Sequence, residues 1–271
     1  MPVALVGLAI ASAGLHVAWN AAARAQGGRL RYMWLIMLGG GSLGLLIGWP
    51  WFGALDLEHL WPWLFATWVI HALYFTSLAQ AYRRAELAWA YTLSRSLGVL
   101  STALVASLSF GEHLSLLAWC GIALVILGSL LASGGAGRPQ ALWRVALIGL
   151  LIAAYSVVDS HAVRIAPPVA YIALLYLGSG VLVAPFALRE SAAPGDARAL
   201  LFGGLSLASY LLMLFAYRSG PVAPLLAVRQ AAPLLAALGG YLFLREMPSR
   251  VLIAGTLLIV LGAALFTLAP A

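Results

Sequence analysis

Lysine is absent from this chain, and acids are few. Charged types make up 8% of its 271 residues, where an ordinary soluble domain has about 25%. Hydrophobic types make up 63%, and the mean hydropathy is +1.00. No single water-facing globule hides that much apolar surface. Soluble enzymes and disordered tails are excluded at this point. Cysteine is nearly absent too. The lone Cys120 permits no intrachain disulfide, which removes the secreted disulfide scaffolds. It sits in an apolar run and is expected to be a small buried hydrophobe. The net charge of +7 comes from arginines spread thinly between apolar runs. With no basic block, that charge belongs to membrane topology and not to nucleic acid.

Chemical motifs are missing as well. There is no H-E-x-x-H and no G-x-S-x-G. A lone intramembrane aspartate forms no carboxylate dyad. No nucleotide-binding loop appears. The expectation is a protein that is not an enzyme, with no cofactor and no metal.

What is present is length enough to cross a bilayer many times. A span needs roughly 20 apolar residues at 1.5 Å each. Ten stretches qualify: 3–23, 33–52, 62–82, 87–108, 115–133, 142–163, 170–188, 200–217, 222–243 and 250–268. The gaps are short, and the longest, near 134–141 and 189–199, carry turn residues. The first span lacks a basic region before it and has arginines after it, so it reads as a span and not as a cleaved signal peptide. The expected fold is an all-α membrane protein in one integral domain.

Part of the sequence recurs. Residues 94–131 shifted by 134 fall on 228–265, which aligns Arg95 with Arg229, Glu112 with Glu246, Gly121 with Gly255, and Gly128 with Gly262. Ala4-Leu5-Val6-Gly7-Leu8 falls on Ala146-Leu147-Ile148-Gly149-Leu150 at a shift of 142. Charges are so rare that matched Arg and Glu carry weight. The expectation is ten transmembrane helices as two five-helix repeats, 1–135 and 142–271. Five is odd, so the second repeat enters the membrane inverted, and inverted repeats place a transporter's site where they meet. The loops after odd-numbered spans hold Arg24, Arg29, Arg31, Arg83, Arg84, Arg138, Arg144, Arg189, Arg198, Arg245 and Arg250. The other side holds Arg164 and Arg218. Positive residues stay inside, which puts both termini outside the cytoplasm.

This layout resembles the drug/metabolite transporter superfamily, and within it the EamA-type permeases, over nearly the whole chain. The resemblance is carried by His71-Ala72-Leu73-Tyr74-Phe75 leading to Ala81-Tyr82-Arg83-Arg84, then by Tyr91-Thr92-Leu93-Ser94-Arg95. Phe110-Gly111-Glu112-His113-Leu114-Ser115 with Gly121 to Gly128 closes the first half, and Leu244-Arg245-Glu246 with Gly255 to Gly262 closes the second. Trp19-Asn20 in the first span also matches. The resemblance implies a small-metabolite carrier in a bacterial inner (cytoplasmic) membrane, often an exporter of amino acids or related compounds. Two features depart from it. The fourth span has Leu97-Gly98-Val99 where many relatives have a proline, although Pro233 keeps the equivalent in the ninth. Relatives also tend to keep both termini in the cytoplasm, and here the arginine distribution decides for the opposite.

Three charges lie inside spans: Arg95, Arg229 and Asp159. A charge at the bilayer centre costs at least about 2.5–3.5 kcal/mol, so it normally faces a cavity or a partner. Arg95 is eight residues into the fourth span, about 12 Å deep, and Arg229 seven into the ninth, about 10 Å deep from the other side. A substrate anion held between them is the expectation, against the plainer possibility of arginines snorkelling to the surface. Asp159 shares a face with Tyr155, and His16 shares one with Ser12 and Asn20. Asp159 and His16 are candidate proton carriers. The competing expectations are a tie from Asp159 to Arg95 or Arg164, and a packing role for His16. Asn20, Tyr74, Tyr91, Tyr155 and Tyr210 complete the candidate substrate-binding set. Glu112 and Glu246 read as helix N-caps. Gly40, Gly44 and Gly48 read as a packing ladder. Pro224 and Pro233 are expected to break the ninth span around Arg229.

The function expected is a secondary transporter of a small anionic or zwitterionic metabolite, such as an amino acid or organophosphonate, acting as an exporter. Its partners would be that substrate, membrane lipids and protons as the coupling ion, with the protein a monomer or homodimer. The alternatives are a flippase for a lipid-linked substrate and an exporter of broader drug-like compounds.

Overall fold

A computed structural model describes residues 1–83, 87–110, 114–132, 142–230, 232, 234, 235 and 249–269. Within these, the side chains of residues 24, 82–83, 87–92, 106, 108–110 and 142 are outside the description. Among the described residues there are ten α-helices and no strand. They are α1 (Val3–Ala25), α2 (Leu30–Gly48), α3 (Leu57–Arg83), α4 (Leu87–Phe110), α5 (Leu116–Ala132), α6 (Leu142–Ile165), α7 (Pro168–Ala187), α8 (Asp196–Ser219), α9 (Val222–Arg229) and α10 (Arg250–Leu268). A 3-10 stretch, Trp49–Ala54, prolongs α2. Seven segments are long and apolar enough to span a membrane: α2 with its 3-10 extension, and most or all of α1, α3, α6, α7, α8 and α10. Leu93–Val105 and Leu116–Ala132 are shorter apolar helices.

Two helices start earlier than hydropathy alone suggests, and polar contacts explain both. Asp56 caps α3, its carboxylate accepting from the His59 backbone N–H at 3.2 Å, and Glu58 sits in the first turn. The same backbone N–H, with the His59 ring, holds the exposed Asp56 carboxyl below the usual carboxylate range. At α8 the first-turn Asp196 meets the positive end of the helix. It also pairs with Arg29 Nη1 at 2.7 Å and Arg31 Nε at 2.9 Å. The neighbouring Glu190 carboxylate accepts from the backbone N–H groups of Leu30 at 3.3 Å and Arg31 at 3.0 Å. The chain between α7 and α8 thus caps the start of α2.

The molecule is apolar outside and polar at its centre. Leu46, Val181, Leu201 and Leu268 are among its most exposed side chains, while Ser12, Thr67, Ser156, Asp159 and Ser209 are fully buried. Cys120 corrects an expectation: it is exposed on α5. In a bilayer-facing helix an apolar run marks lipid contact as readily as core.

Packing sets which helices reach the centre. α2 lies against α7 and α8, α5 against α10, α1 against α8, α3 against α6 and α7, and α4 against α6. α9 touches α1, α4 and α10. Small residues allow the peripheral pairs to approach. A Cβ on Gly40 would lie 2.8 Å from the Gly203 carbonyl oxygen, and one on Gly44 3.1 Å from Ala173 Cβ. Between α5 and α10 the contacts are reciprocal. A Cβ on Gly121 would lie 2.7 Å from Gly262 O and one on Gly262 2.5 Å from Gly121 O. One on Gly128 would lie 2.5 Å from Gly255 O and one on Gly255 2.6 Å from Gly128 O. Pro224 does not break α9: it falls in the first turn, where its missing N–H has no carbonyl to serve. Glu112, Glu246 and Pro233 lie outside the described residues.

The α5–α10 contact yields a stability prediction. Gly128→Ala forces backbone atoms apart and is expected to destabilise the purified protein by about 1–3 kcal/mol. Gly7→Ala meets nothing within 4 Å and is expected to stay within about 0.5 kcal/mol of the parent. Thermal unfolding in detergent measures both, and equal behaviour of the two variants would contradict the packing described.

Candidate functional site

The buried polar centre has two parts. The first is built on Asp159, in the last two turns of α6 and fully buried. One carboxylate oxygen, Oδ1, accepts from Thr67 Oγ1 of α3 at 2.5 Å and from the Tyr171 hydroxyl of α7 at 2.6 Å. The other, Oδ2, accepts from the Tyr210 hydroxyl of α8. His71 Nε2, one turn along α3 from Thr67, lies 3.9 Å from Oδ2. Three hydroxyl donors from three helices hold this acid. Arg164, considered as its partner, is exposed at the end of α6, and among the described residues the ion pair of Asp159 is with His71.

The second part joins Arg95 of α4, His16 of α1 and Arg229 at the end of α9. Their exposures are 3%, 4% and 2%. Arg95 Nη1 is 2.7 Å from His16 Nε2, and Arg229 Nη2 is 3.1 Å from His16 Nδ1. Arg229 Nη2 also donates to Ser209 Oγ at 3.3 Å. Ser209 is itself fixed: its hydroxyl donates to the Ser12 carbonyl at 2.9 Å, and the Ser12 hydroxyl donates to the Ser209 carbonyl at 2.7 Å. A guanidinium only donates, and a neutral imidazole offers one bare nitrogen. His16 therefore accepts from one arginine while its N–H side confronts the other. Arg229 Nε is buried with no hydrogen-bond partner among the described residues. A ring that accepts from a guanidinium is neutral, so the centre carries two positive charges on arginine.

Aromatic rings connect the two parts. The Tyr155 ring is 4.5 Å from that of His71, 5.3 Å from Tyr74 and 5.8 Å from Tyr210. The Arg229 guanidinium lies 5.9 Å from the centre of the Tyr210 ring. Trp19 stands edge-on to His16 at 5.0 Å. These groups line a cavity of about 30 Å³ between α1, α3, α6, α7, α8 and α9, room for a water or two.

Of the residues singled out from the sequence, Arg95, Arg229 and His16 meet directly. Tyr74, Tyr155 and Tyr210 line the cavity beside them. Asn20 is buried on α1, where its amide donates to the His16 carbonyl at 2.8 Å. The Tyr91 side chain lies outside the described residues. Thr67, Tyr171 and Ser209 were not anticipated, and His71 was noticed only as part of a motif. Thr67, His71 and Tyr74 stand at i, i+4 and i+7 on α3, a polar stripe in an apolar helix that marks a face turned to the centre.

The comparisons with known proteins agree with this architecture. Residues 141–268 match the EamA-like transporter family. Residues 54–125 match the Small Multidrug Resistance protein family. A solved crystal structure of a protein is similar over 99% of this chain and 98% of its own, with a TM-score of 0.78 at 21% identity, a likeness of fold. No curated protein matches the sequence. An all-helical membrane protein with a charged, enclosed centre and these two matches is a small-molecule transporter. Both matched families are of the drug/metabolite transporter type, the EamA-like match falling in the second half of the chain.

Proposed function

We propose that the chain carries a small anionic or zwitterionic metabolite, an amino acid or an organophosphonate, by alternating access at the Arg95–His16–Arg229 cluster. The observation that carries this is two buried guanidiniums drawn to one imidazole, with Arg229 Nε buried and unpartnered among the described residues. A carboxylate or phosphonate supplies acceptors and negative charge, and guanidinium binds such groups through paired N–H donors. The cavity between the helices is far smaller than a metabolite. Binding therefore requires the helices around it to part, on one side and then on the other. Export is the direction the family resemblance favours. An uncharged or cationic drug-like compound would meet the same arginines without supplying a negative charge.

The framework for this motion is a ten-span inverted repeat, 1–135 and 142–271. Packing supports it: adding five to each helix number converts α1·α8 into α6·α3, and α3·α7 into α8·α2, while α2·α7 and α5·α10 map onto themselves. The sequence match of Gly121 with Gly255 and Gly128 with Gly262 turns the Gly121–Gly262 contact into the Gly255–Gly128 contact. The membrane is the inner membrane of a bacterium, with both termini outside by the arginine distribution.

Two expectations test this. Purified protein in liposomes is screened for uptake of amino acids, phosphonates and organic cations. Arg95→Ala and Arg229→Ala are each expected to lower transport of the anion about thirty-fold or more, the effect of truncating one partner of a buried charged contact by about 2–5 kcal/mol, while each variant still folds. Normal rates in both variants would remove the arginine site. For orientation, a cysteine added at either terminus of a Cys120→Ser background is expected to react with an impermeant reagent in intact cells. Protection at both ends would reverse the topology.

A further inference from the structure

Anion binding at the arginines leaves the most enclosed acid of the bundle without a task. The hydrogen bonds around Asp159 define where its proton can go. Thr67 Oγ1 spends its hydrogen on Asp159 Oδ1. His71 Nδ1 lies 3.0 Å from that same Oγ1 and 3.1 Å from the Thr67 carbonyl oxygen. Both are acceptors there, so Nδ1 carries a hydrogen. The remaining ring nitrogen, Nε2, is the one that gains and loses a proton, and it faces Asp159 Oδ2 at 3.9 Å. The opposite oxygen already accepts two hydroxyls, and Oδ2 accepts the Tyr210 hydroxyl. Three donors suit an ionised carboxylate, and a buried carboxylate needs a cation beside it.

We propose that His71 and Asp159 form one proton-binding site, distinct from the arginine cluster and coupled to it through Tyr210. With the proton bound, the pair is imidazolium and carboxylate, or neutral imidazole and carboxylic acid; at 3.9 Å the two atoms form no hydrogen bond, so a proton passes between Nε2 and Oδ2 through a bridging water or after the side chains close up. Without it, the pair is a neutral ring and a bare carboxylate. Tyr210 touches both sites, its hydroxyl on Asp159 and its ring against the Arg229 guanidinium. His71 also lines the same cavity as Arg229.

The surroundings contain no other acid among the described residues. From α7 and α8, the groups facing Asp159 besides Tyr171 and Tyr210 are Tyr176 and Tyr217. From its own helix it is Tyr155. Beyond Tyr155 and Tyr210 lie Arg95, Arg229 and His16. The sign of the coupling follows. A bare Asp159 carboxylate competes with the substrate anion for the field of the arginines, and a proton on the pair removes that competition. Proton and anion therefore bind together, and anion affinity rises as the pH falls through the titration of the pair. They are carried the same way, so export runs on the substrate's own gradient against an inward proton gradient. This coupling rests on the arginine site proposed above; the proton site itself does not.

The test needs no substrate. Infrared difference spectra are recorded across about pH 4–10 on purified protein, following the carboxyl bands (acid C=O and carboxylate stretches) and the imidazole bands. In the parent protein one buried carboxyl signal and one imidazole signal are expected to change in the same titration. Asp159→Asn removes the carboxyl change and moves the imidazole midpoint by about one pH unit or more, as His71→Gln moves the carboxyl midpoint, because interacting sites titrate as a pair. Arg229→Ala keeps both signals. Methylphosphonate is expected to shift the shared midpoint in the parent protein and in neither Arg229→Ala nor Tyr210→Phe. An Asp159 band that never changes over this range, or one with the same midpoint in His71→Gln, overturns the proton site. A methylphosphonate shift that survives in Tyr210→Phe overturns the coupling route. Loss of that shift in the parent alone, with the paired titration intact, counts against the arginine site and not against the proton pair. Should a variant fail to fold, the shared titration in the parent decides.

Discussion

Two guanidinium groups are held away from water, against one imidazole, in the middle of an apolar bundle. That arrangement is the constraint from which the rest of the structure follows. Each charge at that depth costs several kcal/mol unless something polar meets it. His16 satisfies one donor, and Ser209 takes another. The ring cannot protonate to help, since it would add a third positive charge facing the first two. The anion site proposed above rests on this arrangement.

The helices divide the labour accordingly. α5 and α10 meet backbone to backbone through glycines, and α2 lies against α7 and α8 through another set. These contacts carry few polar side chains and form a stiff periphery. α1, α3, α4, α6, α7, α8 and α9 bring the serines, histidines, tyrosines and charges inward. The centre then splits into an arginine cluster and an acid cluster, with Tyr155 and Tyr210 between them. At one end, Arg29 and Arg31 tie the start of α2 to Asp196 at the start of α8. That end is latched by charge.

Seven of the expected spans were legible in the sequence because a bilayer demands long apolar runs. Their ends were less legible. Asp56 and Asp196 interrupt hydropathy yet begin helices, since a first-turn carboxylate satisfies free N–H groups. Cys120 was placed in the core and lies at the surface, because an apolar helix shows the same composition to lipid and to its neighbours. Arg95 and Arg229 stood out through rarity and repeat position. Their common partner did not, since His16 is 79 and 213 residues away from them. The position of Asn20 on the His16 face was visible, but not the bond from its amide to the His16 carbonyl within the same helix. The Asp159 cluster draws on α3, α7 and α8, and only the fold brings Thr67, Tyr171 and Tyr210 to one carboxylate.

The most direct test of the central claim is ligand stabilisation of the purified protein by small molecules that differ only in charge. A phosphonate, its neutral ester and an amine of the same size are compared by thermal unfolding. The expected result is stabilisation by the phosphonate, about 2.7 kcal/mol at a hundred times its Kd, none from the ester or amine, and loss of the effect in Arg229→Ala. Stabilisation by the amine, or by the phosphonate equally in parent and Arg229→Ala, would contradict a centre made for negative charge.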